Sequence, residues 1–371
     1  MKTGIVTIYD VPNFGSVLQA YATQMIMTNL GYEAIFIDYN RYNNWRLSQG
    51  CAPKGSKVRT FLRKLGLKAD HRKALHLENF KKKHFKFTHT YQDLDELKNE
   101  CWDDFDLFVV GSDQVWNTKY LKGDSFFLLS FVPDKIPKLS IASSFALDSL
   151  PEQFRDKFKK YLSRFNALSV RESNGQKIIN SELKIEKEVK LMLDPTLLLS
   201  KEQWNNLFSS LINNEEDKYI LFYMWAYAFE PRPYIYEVVK HFQQKLGCKI
   251  IALEGCYSSC PSNIKMENRM DSSIPEFLNL FMNAELVITS SFHGTAFALN
   301  YGRPLVSILP STGDDRQMSL LKKLDVANCG ITIGSDIDKI NPFYDSDSEQ
   351  CKLAAMRKDN LNWIKNNIKK D

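Results

Sequence analysis

The sequence predicts an α/β protein built from two Rossmann-like, doubly wound domains facing a cleft. Three observations carry this expectation. Short apolar runs such as Leu107–Val110 and Leu286–Ser290 alternate with longer helical patterns, as buried parallel strands and their crossover helices do. Polar clusters bearing glycine stand just after several of those runs, where open α/β sheets bind ligands. The pattern then restarts after residue 198 of a 371-residue chain, which is longer than one ordinary core. The expected division is 1–198, 199–345 and a C-terminal helix over 346–371 that folds back on the first domain.

In the first half, a strand over Gly4–Tyr9 leads through Asp-Val-Pro-Asn-Phe-Gly-Ser to a helix over Val17–Leu30, which Gly31 ends, and to a strand over Glu33–Ile37. This turn is not GxGxxG, so a dinucleotide is not indicated. Asn13 and Ser16 are either helix caps or, with Gln19, groups facing a ligand. After Leu107–Val110 comes Gly-Ser-Asp-Gln-Val-Trp-Asn. Carboxylate and amide groups hydrogen-bond sugar hydroxyls, and an indole face stacks on a pyranose. Asp113, Trp116 and Asn117 are therefore sugar-site candidates, with a core position the plainer fate of Trp116. A strand over Leu139–Phe145, a helix over Glu152–Ser163 and a strand over Leu168–Arg171 follow, placing Arg171 at another strand end. Pro195, after a short strand, marks the crossover between domains.

The second half repeats the scheme with strands over Tyr219–Tyr223 and Lys249–Leu253 and helices over Pro233–Leu246 and Ile274–Asn283. Its centre is a βαβ unit: strand Leu286–Ser290, turn Ser291–Gly294, helix Thr295–Tyr301 and strand Leu305–Leu309. Ser290, Ser291, His293 and Thr295 fall at the strand's carboxyl end, beside helix N–H groups that favour an anion. Gly294 is read as allowing close approach of a ligand to the backbone. His293 suits a proton donor, or merely a turn-stabilising group. Arg316 opens one more helix, and residues 349–369 form an amphipathic tail.

Composition narrows the function classes. No apolar run reaches the roughly 18–20 residues of a membrane span. The N-terminus reads as a strand and not as a signal peptide, which places the protein in the cytoplasm. Seven scattered cysteines include no CxxC, so reduced thiols are expected and no metal or other cofactor is called for. Net charge is +5, yet Lys54–Lys86 alone holds twelve Lys or Arg against two acids. That basic stretch suggests peripheral contact with an anionic membrane or a polyprenyl pyrophosphate, with a solvated face as the plain alternative. Nucleic acid is the weakest partner, because no DNA-binding motif is present.

Asn-Phe-Gly-Ser-x-Leu-Gln (13–19), Val-Gly-Ser-Asp-Gln-Val-Trp-Asn (110–117), Val-Arg-Glu-Ser-x-Gly (170–175), Leu-Asp-Pro-Thr (193–196) and Ser-Phe-His-Gly-Thr-Ala-Phe-Ala-Leu-Asn-Tyr-Gly-x-Pro (291–304) occur in that order. Together they resemble the polysaccharide pyruvyltransferase family over about residues 3–325. The resemblance implies a GT-B-like fold and transfer of pyruvate from phosphoenolpyruvate to two sugar hydroxyls, giving a cyclic ketal. The usual acceptors are lipid-linked precursors of capsule or exopolysaccharide. It implies His293 as acid or phosphate partner, and Ser290, Ser291, Gly294 and Thr295 as an anion cradle. Asp113 would be the base or an acceptor ligand, with Asn13, Ser16, Gln19, Trp116 and Asn117 around the acceptor. One departure stands out. Many members carry arginine two residues before the histidine, where this chain has Ser291, so either Arg316, Arg303 or Arg171 supplies the cation or the donor differs. The alternatives are a GT-B glycosyltransferase using a nucleotide sugar, with Glu254 or Glu285 on the ribose, and a non-catalytic glycan-binding protein.

Overall fold

The computed structural model describes residues 1–40, 69–207, 217–226, 229–253, 260–310 and 315–368. The basic stretch before residue 69, Cys51, Glu254 and Cys256 lie outside these. The chain divides into two compact units, Met1–Leu65, Glu78–Leu198 and Lys358–Asp371 in one, Gly66–Leu77 and Leu199–Arg357 in the other.

The first unit begins with β1 (Lys2–Val6), α1 (Phe14–Asn29) and β2 (Glu33–Phe36). Helices α2 (Ala69–His84) and α3 (Leu94–Asn99) precede β3 (Leu107–Val110), α4 (Thr118–Leu121) and β4 (Lys138–Ser140). Then come α5 (Glu152–Leu162), β5 (Leu168–Val170), α6 (Ser173–Lys177), β6 (Val189–Leu191) and α7 (Pro195–Leu198). The sheet order is β2-β1-β3-β4, all parallel, with a parallel β5-β6 pair joined to it by bridges at Leu139–Ala167 and Ser143–Val170. All four β3 residues are buried, as a parallel strand covered on both faces requires. The strand expected to reach Phe145 stops at Ser140, because Ala142 takes φ +48° and leaves the extended region. Pro195, expected to mark the crossover between domains, opens the short helix α7, where its missing N–H costs nothing.

The second unit runs α8 (Lys201–Asn205), β7 (Tyr219–Tyr223), α9 (Tyr234–Leu246), β8 (Lys249–Ala252), β9 (Glu267–Asn268) and α10 (Ile274–Asn283). It continues with β10 (Leu286–Thr289), α11 (Phe292–Asn300), β11 (Leu305–Leu309), α12 (Asp315–Lys323), β12 (Gly330–Thr332) and α13 (Ser346–Asn367), whose later residues count with the first unit. Its six parallel strands take the order β12-β11-β10-β7-β8-β9. Capping boxes at Ser200/Gln203 and Ser273/Glu276 start α8 and α10. Both units are thus Rossmann-like. In each, strand order reverses beside the first strand: between β1 and β3, and between β7 and β10. Ligand crevices of such sheets open at those switch points, at the strands' carboxyl ends.

Candidate functional site

At the first switch point, Gly111 carries the chain out of β3 with φ +108°, and an added Cβ would lie 2.5 Å from the Ile141 carbonyl oxygen. The Gly111–Ser112 peptide is cis. Asp113 follows with φ +64°, a left-handed conformation that aspartate tolerates better than most residues. Its Oδ2 accepts from Ser16 Oγ at 2.7 Å, its Oδ1 from the Gln114 N–H at 2.9 Å, and Arg171 Nη2 stands 3.5 Å from Oδ1. Ser16 is held in turn by Asn13, whose Oδ1 caps α1 by accepting the Ser16 N–H. Gln19 is fully buried, accepting the Ser112 N–H and donating to the Ile8 and Ser16 carbonyls. Asn13, Ser16, Gln19, Asp113 and Arg171 are therefore brought to one place.

Trp116 and Asn117 are not offered to a ligand there. The indole, read as a sugar platform, is 1% exposed, packs 5.1 Å from the Phe145 ring and donates to the Phe127 carbonyl. It is core, part of the buried apolar cluster that also holds Phe127, Phe145 and Phe165. Asn117 caps α4 through the Lys119 N–H and donates to Gln114 Oε1. Sequence reasoning passed over Asp194 and Glu172. Asp194 accepts from Arg171 Nη1 at 2.9 Å, and Glu172 Oε1 accepts from Ser144 Oγ and the Phe145 N–H. Their presence inside motifs, next to arginine or proline, was the available signal.

At the second switch point, α11 starts three residues earlier than the pattern suggested, because Ser291 is its N-cap and accepts the Gly294 N–H at 3.3 Å. His293 and Gly294 consequently belong to the first helical turn. Ser290 Oγ accepts the Trp225 N–H at 2.8 Å and donates to the Trp225 carbonyl at 3.0 Å, locking the turns after β7 and β10 together. Thr289 Oγ1 accepts the Ser291 N–H and donates to the Tyr223 carbonyl. Thr295 Oγ1 sits 2.8 Å from Ser307 Oγ, which accepts from Gln317 Nε2 at 2.6 Å. The hydroxyls read as a ligand cradle thus shape the turn from within. Gly294 has a different reason from the one expected: a Cβ there would lie 2.3 Å from Thr289 Oγ1 and 2.9 Å from the Tyr223 ring, so glycine permits close packing of helix on sheet. The His293 imidazole lies at the amino end of α11, 7% exposed and edge-on to Phe292.

The three candidate arginines separate. Arg171 belongs to the carboxylate network of the first unit. Arg303 follows the carboxyl end of α11, about 15 Å along the helix axis from Ser291, so it stands at the wrong end of the sheet. Arg316 lies in the first turn of α12 beside Gln317, whose amide reaches Thr295 and Ser307 on the switch-point side. Glu285, a ribose-binding candidate, immediately precedes β10 at its amino end and pairs with Lys218. Near the other end of α11, Gln350 donates to the Leu299 carbonyl and to Glu349, whose carboxyl is pushed up to about 7 by burial. Among the described residues, no cluster of His, Cys, Asp or Glu is arranged to hold a metal ion.

Two Rossmann-like units with polar turns at both switch points define a GT-B-like protein, and solved structures share this fold. The chain resembles the UDP-GlcNAc 2-epimerase of Neisseria meningitidis bound to UDP-GlcNAc (TM-score 0.51, 10% identity, 98% of this chain and 94% of that one). It likewise resembles the Methanocaldococcus jannaschii UDP-GlcNAc 2-epimerase in complex with UDP-GlcNAc and UDP (TM-score 0.50, 15% identity, 96% and 99%). No curated protein matches it in sequence. The polysaccharide pyruvyl transferase family model matches residues 13–312, most of the chain, and the protein belongs to that family of transferases.

Proposed function

We propose that the protein moves pyruvate from phosphoenolpyruvate onto two hydroxyls of one sugar in a lipid-linked capsule or exopolysaccharide precursor. The carrying observation is that Asp113 and His293, two groups suited to proton transfer, stand at the switch points of a chain whose family transfers pyruvyl groups to polysaccharides. In this reading His293 and the first-turn amides of α11 take the donor's phosphate and carboxylate, and Arg316 supplies the charge that Ser291 does not. An acid protonates the enol methylene, and one sugar oxygen bonds to the carbon bearing the phosphate. The second oxygen then displaces phosphate. Of the two hydroxyl protons, one balances the new methyl group and the other leaves with phosphate. Asp113, the carboxylate of its network with most solvent access at 12% side-chain exposure, draws protons from the acceptor.

The test is mass spectrometry of methyl pyranosides and polyprenyl-pyrophosphate-linked sugars incubated with phosphoenolpyruvate. A pyruvyl ketal with release of phosphate is expected, and no such product with any acceptor overturns the reading. The similarity to enzymes solved with UDP-sugars favours one rival, a nucleotide-sugar transferase. A thermal shift with UDP-GlcNAc and none with phosphoenolpyruvate would establish that rival instead. The exposed Lys82 and Lys83 at the end of α2 support work at the inner face of an anionic membrane. Liposomes containing phosphatidylglycerol should then co-sediment with the protein at low salt and lose it at high salt. Among the described residues, no helix is long and apolar enough to cross a membrane.

A further inference from the structure

Four charged side chains meet beneath the β3 turn: Arg171, Asp113, Glu172 and Asp194. Their side-chain exposures are 1%, 12%, 1% and 0%, so three are sealed and Asp113 alone retains access to a substrate. Asp194 has its acceptor capacity filled. Oδ1 takes the Thr196 N–H at 3.0 Å and the Thr196 hydroxyl at 2.8 Å, while Oδ2 takes Arg171 Nη1 at 2.9 Å and Ser112 Oγ at 2.8 Å. It therefore grips both supports of Asp113, the guanidinium that approaches its carboxylate and the residue just before it in the chain. Glu172 is placed otherwise. It stands 3.8 Å from Arg171 Nε, and its Oε1 is spent on Ser144, Phe145 and Ala146.

We infer that Asp194 is a positioning residue for Asp113, acting through Arg171 and Ser112. The inference rests on the proposed role of Asp113 toward the acceptor hydroxyls. Arg171 cannot close fully on Asp113 because Asp194 holds its other nitrogen at the shorter distance, 2.9 Å against 3.5 Å. This division keeps the Asp113 carboxylate available to a hydroxyl while the left-handed turn at residue 113 keeps it aimed. Asparagine at position 194 retains an acceptor for Thr196 but turns an NH2 toward the donor-only Arg171, while Ser112 Oγ can still donate to the Ala142 carbonyl at 2.6 Å. The guanidinium is then released toward Asp113.

The experiment follows phosphate release from phosphoenolpyruvate with methyl pyranosides as acceptors in Asp194→Asn, Asp113→Asn and the double variant. Misplacement of a reacting group by about 1 Å costs on the order of 10²-fold, so Asp194→Asn should lower kcat by about that factor with the donor KM unchanged. In the Asp113→Asn background the same change should cost nothing further, which a merely structural role would not produce. Ser112→Ala is the milder companion should Asp194→Asn fold poorly, and it should show a smaller loss that likewise vanishes in that background. Losses that multiply in the double variant, or unchanged kcat in both Asp194→Asn and Ser112→Ala, overturn the positioning role. Full turnover by Asp113→Asn instead removes the catalytic assignment of Asp113, and the positioning role with it.

Discussion

The turns after β3 and β10 occupy matching places in the two units, yet they are built from opposite materials. The β3 turn rests on one buried guanidinium facing three carboxylates. The β10 turn is held by neutral dipoles, the hydroxyls of Thr289, Ser290, Ser291, Thr295 and Ser307 with the Gln317 amide. Excess negative charge repels an anionic donor and suits a group that draws protons from hydroxyls. Neutral dipoles at a helix amino end leave its partial positive charge uncancelled, which favours a phosphoester. Under the proposed function, the difference matches the donor to one turn and the acceptor to the other.

The widest test of this contrast compares His293→Ala with Asp113→Asn. Each should lower turnover by about 10²–10⁴-fold for lost proton transfer, but only His293→Ala should weaken the thermal shift given by phosphoenolpyruvate. Equal loss of that shift in both variants would break the contrast. Next in size is Arg171→Met. Removing the guanidinium that faces three carboxylates should destabilise the protein by about 3–5 kcal/mol in chemical denaturation. The second unit treats a buried acid differently. Glu349 is raised from 4.5 to about 7 by burial, so its folded form binds the proton more tightly than the unfolded chain does. Stability from this group is present below pH 4.5 and is lost as pH rises to about 7, by at most about 3 kcal/mol. Glu349→Gln should flatten that part of the stability–pH curve, and an unchanged slope would show that the carboxyl contributes none of it. Smallest is Ser291→Ala, which removes the α11 cap and should cost about 1 kcal/mol. A loss above roughly 3 kcal/mol would mean the hydroxyl does more than cap.

The alternation of apolar runs and helical patterns made both sheets legible, since β3, β7, α10 and β11 span the residues their patterns indicated. The strands β9 (Glu-Asn) and β12 (Gly-Ile-Thr) contain no fully buried residue and so no apolar run to mark them. Position at a strand end was also readable for Asp113 and Arg171, which meet there beside Ser16 of α1. Side-chain direction was not. Whether Trp116 faces a ligand or Phe145 depends on the backbone angles of residues 111–113, which residue types alone leave open. The purpose of Gly294 was hidden likewise, because Thr289 and Tyr223 come against it only once β7 and β10 are neighbours.

Asn360 Oδ1 accepts the Leu193 N–H at 2.7 Å across 167 positions, and Lys190 pairs with Asp359 in the same region. During synthesis the segment carrying the carboxylate turn leaves the ribosome long before these partners exist. The amino-terminal sheet must therefore wait, with the β6–α7 edge unfinished, until translation has passed through the whole of the other sheet. A nascent chain stalled before Asn360 should be cut by protease at that edge, while the released protein resists.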